Sequence, residues 1–353
     1  MTDLLAVTLD LMAVPSLSRQ EAALADVVEK TLGASSWLEV ERIGDNVVAR
    51  TQIGRRQRLV LAGHLDTVPP GGNEVPRLDG DTLWGVGASD MKGGLAIMLD
   101  LAATVNEPAV DVTWCFYARE EIGREDSGLL ELWTQRPDLL AGDAAVLGEP
   151  TSALVEAGCQ GTMRLRIVLR GVRAHTARPF TGRNAIHRLA PLLQRVVGWP
   201  GREVVLDGCT YAEQLQVVSV EGGVAGNVVP DEVHVVLNHR YAPDRRAADA
   251  EAFLHELLDP VLEVENGDEW DVLDAGDGAP PSLDHPLLRS LVEQTGASPK
   301  AKVGWTDVAS FWAHGVPAAN FGPGDPLLAH HPEERVSRAQ LQRAREVLVA
   351  LIS

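Results

Sequence analysis

Two periods run through the pattern of apolar and polar positions. Residues 3–13 carry Leu5, Leu9 and Met12 at helical spacing, and Pro15 closes that helix. Ser18-Arg19-Gln20-Glu21 has the form of a capping box, which predicts a helix running to Leu32. Strands are expected over 38–43 and 46–51. Residues 59–63 form a continuous apolar run, the pattern of a strand buried on both faces. A helix is expected over 91–105, with Leu95, Met98, Leu99 and Ala102 on one face. A buried strand over 112–118, a helix over 129–135 and a short strand over 144–148 follow. Strand and helix alternate throughout, which predicts an α/β domain with a mainly parallel sheet.

The texture then changes. Residues 162–171 alternate, with Met163, Leu165, Ile167 and Leu169 on one side, like a half-exposed antiparallel strand. A helix over 184–197, strands over 215–221 and 233–241, a helix over 246–258 and a strand near 271–273 complete a strand-helix-strand-strand-helix-strand order. That order predicts a ferredoxin-like α+β domain, inserted at 162–275 into a discontinuous domain made of 1–161 and 276–353. Helices over 286–295 and 307–313, a strand over 317–321 and a last helix capped by Ser337 return to the first texture.

Length agrees with two domains: 353 residues exceed what one ordinary core takes up. Charge narrows the partners. A net charge of −19 argues against nucleic acid or an anionic membrane surface and fits a small-molecule substrate. The three cysteines, Cys115, Cys159 and Cys209, form no CxxC pair, as expected in a reducing compartment. With no basic-then-apolar leader and no apolar span of 18 residues, a cytoplasmic protein is expected.

Candidate chemistry sits at the ends of the apolar runs. His64 and Asp66 stand two apart at the end of the first buried strand, so both can aim at one site. Asp90 follows a glycine-rich turn. Glu120 and Glu121 end the next strand, and two adjacent carboxylates there are tolerable when one binds a cation. Glu149 ends another, and His330-His331 comes late. Parallel strands share one carboxyl edge, so these groups can converge on it. Two imidazoles and three carboxylates suit two zinc ions with one carboxylate bridging. The residues alone leave Glu120 or Glu121, and His330 or His331, open as ligands. Neither phosphate-cradling glycine motif is complete.

The stretches GHLDTV (63–68), ASDMKGG (88–94), REE (119–121), GEPT (148–151) and HHPEE (330–334), in this order, resemble the M20 family of co-catalytic zinc amidohydrolases. The resemblance spans nearly the whole chain. It implies a dizinc catalytic domain interrupted by a ferredoxin-like lid through which two chains form a homodimer. It further implies that His64 and Glu149 bind one Zn2+, that Glu121 and His330 bind the other, and that Asp90 bridges them, with Co2+ able to substitute. His330 is preferred to His331 because the family's ligand stands four residues before a glutamate, here Glu334. Asp66 would orient His64 through its other ring nitrogen, and Glu120 would be the general base. In the insert, the loop at 171–177 implies His175 as an oxyanion donor reaching the neighbouring subunit. Asn227, Arg178 and Arg240 are implied as substrate contacts, Arg240 for a carboxylate. Thr306 and Gly322 are candidates for the acyl pocket by position.

Within the family, YAREE (117–121), GWTDVA (304–309) and GPGDP (322–326) with AHH (329–331) most resemble the actinobacterial members that cleave N-succinyl-LL-2,6-diaminopimelate to succinate and LL-2,6-diaminopimelate. That reaction is the expectation. The alternatives are the deacetylation of acetylornithine, another N-acyl amino acid or peptide hydrolysis, or an inactive metal-binding homologue.

Overall fold

The structure, a computed structural model, describes residues 2–353. The chain divides into two compact units. The first comprises residues 2–158, Pro281–Lys300 and Thr306–Ser353; the second comprises Cys159–Pro280 and Ala301–Trp305.

The first unit is α/β. Its eight-stranded sheet runs in the order Glu39–Ile43, Asn46–Arg50, Asp111–Tyr117, Arg58–His64, Ala144–Leu147, Ala318–Asn320, Glu156–Ala157, Lys300–Ala301. The four strands from Asp111–Tyr117 to Ala318–Asn320 are mutually parallel. The Asp111–Tyr117 strand is buried along its whole length, as its unbroken apolar run predicts. The helices Leu4–Met12, Ala22–Leu32, Gly93–Thr104, Pro286–Thr295 and Arg338–Ile352 bury their apolar sides with the sheet in one core. The last of these is capped as expected: Ser337 Oγ accepts from the Gln340 N–H, and Gln340 Oε1 accepts from the Ser337 N–H.

The box at 18–21 does not form. The helix starts at Ala22 without a side-chain cap. Ser18 Oγ instead donates to Asp66 Oδ2 at 2.7 Å, and Glu21 Oε1 accepts from the Arg119 N–H at 3.0 Å. Asp66 and Glu21 are both fully buried. Satisfying a buried donor or carboxylate is worth more than one cap at a wet helix end. A small sheet of Arg77–Asp79, Thr82–Trp84 and Arg335–Ser337 was not expected either.

The second unit is α+β. The strands Gln214–Gly222, Glu232–Tyr241, Gly161–Arg170 and Glu269–Gly276 pair in that order, all antiparallel. With the helices Leu189–Gly198 and Ala247–Leu258 between them, they give the ferredoxin-like connection. Residues alternate along Glu232–Tyr241, so that Val233, Val235, Leu237 and Tyr241 join Met163, Leu165, Ile167 and Leu169 in a core of their own. A buried ion pair, Arg188 to Asp268 with contacts of 2.6 and 2.7 Å, fastens its edge. The hairpin of Glu203–Leu206 and Cys209–Ala212 is an addition to the expected elements. Among the described residues, no helix is long and apolar enough to cross a membrane.

Candidate metal centre

The buried Arg58–His64 strand ends by delivering His64, 1% exposed, to the carboxyl edge of the sheet. Its Nδ1 lies 3.0 Å from the Asp66 carbonyl oxygen, which fixes the ring. Its Nε2 lies 3.0 Å from Asp90 Oδ1 and 3.9 Å from Glu149 Oε1. The other oxygen of Asp90, Oδ2, lies 3.4 Å from His330 Nε2, which is itself 3.0 Å from Glu121 Oε1. Asp90 therefore faces one imidazole with each oxygen, the disposition of a bridging carboxylate.

Two ligand groups result: His64, Asp90 and Glu149, and Asp90, Glu121 and His330. Within each, one ligand atom per residue lies within 4.8 Å of the others. His64, Glu120 and Glu121 meet the same test. The donor set, imidazole and carboxylate, fits a metal such as zinc. His331 joins neither group; its Nδ1 accepts from the Glu333 N–H.

The electrostatics are those of acids and imidazoles pressed together. Burial opposes charge on His64, but hydrogen bonds to Asp66 and Asp90 outweigh it and raise its pKa well above the ordinary value. Asp90 and Glu121 raise His330 to about 10. Burial opposes the charge on Asp90, yet the two imidazoles hold its carboxyl well below the usual range. Burial, and after it the neighbours Glu121 and Glu149, push Glu120 well up, with His64 acting the other way.

The turn carrying Glu120 and Glu121 is held on every side. Asp66 Oδ1 accepts from the Glu120 N–H and Oδ2 from the Glu121 N–H, each at 3.0 Å. The Asp66 carboxylate is 3.6 Å from His64 Nδ1, further than its own carbonyl, so it grips this turn more closely than the ring. Burial would raise the Asp66 carboxyl, but the His64 imidazole first, then the Ser18 hydroxyl and the Glu120 N–H, hold it down at about 2. Arg119 takes a left-handed φ of +62°, with its guanidinium on Glu131 at 2.7 Å and the Asp126 carbonyl at 2.6 Å.

Gly322 and Thr306 are packed beneath this edge. A Cβ at Gly322 would meet the carbonyl oxygens of Gly148 and Glu149 at 2.4 and 2.6 Å, so only glycine lets this loop lie against the Glu149 turn. Thr306, 4% exposed, donates its hydroxyl to Asn320 Oδ1 at 3.0 Å. Glu21, Asp307 and Glu334 are among the buried acids of this unit that motif spacing alone does not place. Glu21 was assigned to a cap, Asp307 sits inside the GWTDVA stretch, and Glu334 closes the late histidine motif. For the last two, the signal was a carboxylate within a motif that had no role for it.

In the second unit, His175 and Asn227 come together. Ala174–His175 pairs with Val228–Val229, and the Thr176 N–H donates to the Asn227 carbonyl. The exposed Arg178 follows, its N–H donating to the His175 carbonyl. The Ala177 N–H donates to His175 Nδ1 at 3.0 Å, which leaves the ring proton on Nε2. Arg240 stands apart, near the far end of Glu232–Tyr241, with Nε donating to Asn238 Oδ1.

A mainly parallel sheet with imidazole and carboxylate ligands along its carboxyl edge, in a chain with a ferredoxin-like second unit, defines a metallohydrolase architecture. The chain belongs to peptidase family M20/M25/M40, whose model matches residues 60–353. It is an enzyme of this class of metal-dependent amide hydrolases. It is 47% identical over 348 residues, 98% of this chain and 97% of the relative, to a Mycobacterium tuberculosis protein provisionally named succinyl-diaminopimelate desuccinylase DapE. It is 40% identical over 357 residues, 99% of this chain and 96% of the relative, to the succinyl-diaminopimelate desuccinylase of Corynebacterium glutamicum. The aminopeptidase PepT of Bacillus cereus shares the fold with a TM-score of 0.80 at 20% identity, covering 99% of this chain and 97% of its own.

Proposed function

We propose that the protein hydrolyses N-succinyl-LL-2,6-diaminopimelate to succinate and LL-2,6-diaminopimelate, a step in making diaminopimelate and lysine. One observation carries the reading. A chain 40% and 47% identical, nearly end to end, to relatives named for that reaction has a carboxylate, Asp90, whose two oxygens face two ligand sets.

The ligand sets suit two zinc ions, His64 and Glu149 on one, Glu121 and His330 on the other, Asp90 between, with Co2+ able to replace them. Bound there, the cations supply a water of lowered pKa and a polarised substrate carbonyl. Glu120, beside the ligand Glu121, takes the proton of the attacking water and passes it to the leaving nitrogen. The water oxygen joins the acyl carbon, the amide C–N bond breaks, and the free amine and succinate leave. A half-buried carboxyl of raised proton affinity suits that double duty. His175 presents its Nε2–H to the oxyanion that develops. Arg240 offers a planar fork to a substrate carboxylate, with Asn227 and Arg178 as further contacts.

The second unit also supports a homodimer. His175 and Asn227 lie beside the Glu232 end of a strand whose other end carries Arg240. Eight residues of strand separate those ends, roughly 27 Å at about 3.3 Å each. A reaction centre using both groups draws them from two copies of the insert. The edge strand Gln214–Gly222, with Val218 and Val220 exposed, offers a surface for such pairing. Three buried cysteines, none in a CxxC pair, fit work in the reducing cytoplasm.

The test is a side-by-side measurement of kcat/KM with zinc supplied. N-succinyl-LL-diaminopimelate is expected to exceed N-acetylornithine by about 10⁴-fold, the scale reached when a site pairs with a polar group the rival lacks. Equal or reversed values reject the proposed substrate.

A further inference from the structure

Glu334 belongs to neither ligand group, yet it is 1% exposed. Its Oε1 accepts from the N–H groups of Ser89, at 2.9 Å, and Asp90, at 3.0 Å. The Gly87 N–H faces the same carboxylate. Gly87 has a φ of +81°, and its left-handed turn aims successive N–H groups inward, a concavity suited to an anion. A carboxylate this deep costs free energy unless its oxygens are satisfied. Here the donors are the backbone that carries Asp90.

The neighbouring bonds follow the same seam. Ser89 Oγ donates to the Arg335 carbonyl at 2.7 Å, and the Gly85 N–H to the Glu334 carbonyl at 3.0 Å. The Glu334 N–H donates to the His331 carbonyl, closing the turn that presents His330. Glu334 thus ties the turn bearing His330 to the turn bearing Asp90, across 244 residues of sequence.

We propose that Glu334 is a positioning residue for the metal centre: it sets the bridging carboxylate Asp90 and couples it to His330, so that the position shared by Asp90, Glu121 and His330 holds its ion only with this brace in place. The proposal rests on the metal-centre reading above. Glu334 acts as an acceptor of backbone N–H bonds and touches no reacting atom.

The experiment titrates the full-length wild type, E334A, E334D and E334Q with Zn2+ against a chromophoric chelator. The visible spectrum of each Co2+-loaded form and the melting temperature of each metal-free form are recorded alongside. E334A is expected to bind the weaker of two ions about 10–100-fold less tightly, the usual cost of losing a group that orients a ligand, with an altered Co2+ spectrum. E334D, one methylene short, keeps the charge but misses the N–H groups and shows the same direction of change even if E334A fails to fold. E334Q keeps an acceptor oxygen and recovers part of the loss. The proposal is overturned if E334A and E334D bind both ions as the wild type does, or if E334Q restores the melting temperature of E334A but none of its affinity. A wild type that binds no stoichiometric metal removes the metal-centre reading and this inference together; unchanged variants of a metal-loaded wild type remove this inference alone.

Discussion

The two units hold most of their candidate functional groups in different ways, the exposed His330 of the first unit being the exception. In the first, His64, Asp66, Asp90 and Glu149 are each under a tenth exposed. Each is placed by a strand end or tight turn that other buried groups brace. In the second, His175, Asn227 and Arg178 are exposed, on or beside a two-residue ribbon, and Arg240 bonds to Asn238 on the half-exposed face of a sheet. A metal centre needs ligands within a few tenths of an ångström before the ion arrives, and a buried parallel edge supplies that. Groups that meet a substrate only while it reacts gain from being able to approach and leave. The difference is between a buried, braced socket and an exposed set of candidate contacts.

The comparison breaks most visibly at Glu120. Glu120→Gln keeps the socket and removes its base, so metal content should stay at the wild-type level while kcat falls about 10²–10⁴-fold. Near-normal turnover in that variant takes the role away from Glu120. His175→Ala tests the exposed set. Metal binding should be unchanged and kcat should drop about 10²–10³-fold, the cost of one oxyanion donor. Mixing the two inactive variants under subunit exchange should restore activity, because a mixed dimer has one site with both groups intact. Exchange without recovery rules out the borrowed histidine.

A smaller effect is expected of Asp66→Asn. The amide has one acceptor where the carboxylate uses two, so one of the Glu120 and Glu121 N–H groups loses its partner. Metal affinity, read by chelator competition, should weaken about 10–100-fold, and an unchanged affinity shows that the turn holds without it. The smallest effect on catalysis is expected of His239 in the core of the insert. Burial, then Arg245, lowers its pKa to about 3. The folded protein keeps His239 neutral while the unfolded chain protonates it below its ordinary pKa. Stability should therefore be lost as pH falls from 6.5 toward 3, with a slope approaching about 1.4 kcal/mol per pH unit from this group. His239→Phe should flatten that slope in urea melts and leave kcat/KM at neutral pH alone; a slope that survives the substitution belongs to other groups.

Much of the socket was legible because its logic is local. An apolar run followed by an acid or histidine is a strand end, and strand ends in a parallel sheet share an edge. His64, the Glu120–Glu121 pair and Glu149 could be placed that way. What escaped depends on distant partners. Ser18 and Glu21 have the spacing of a cap, but their acceptor and donor, Asp66 and Arg119, are 48 and 98 residues away. The strands Arg77–Asp79 and Arg335–Ser337 lack a pattern of their own and exist because Thr82–Trp84 lies between them. The separation of Arg240 from His175 needed strand register, which no motif states.

The strand Ala318–Asn320 lies between Ala144–Leu147 and Glu156–Ala157, and this governs the order in which a ribosome can deliver the molecule. All of the second unit has been synthesised by Trp305, so the insert can close while the sheet around it still lacks an inner strand. Until residue 320 emerges, Ala144–Leu147 presents an open parallel edge, the kind of template that recruits other chains. Chains truncated near residue 310 and released from the ribosome should yield a protease-resistant fragment from the insert and none from the first unit; protection of both would mean that the sheet closes without its late strand.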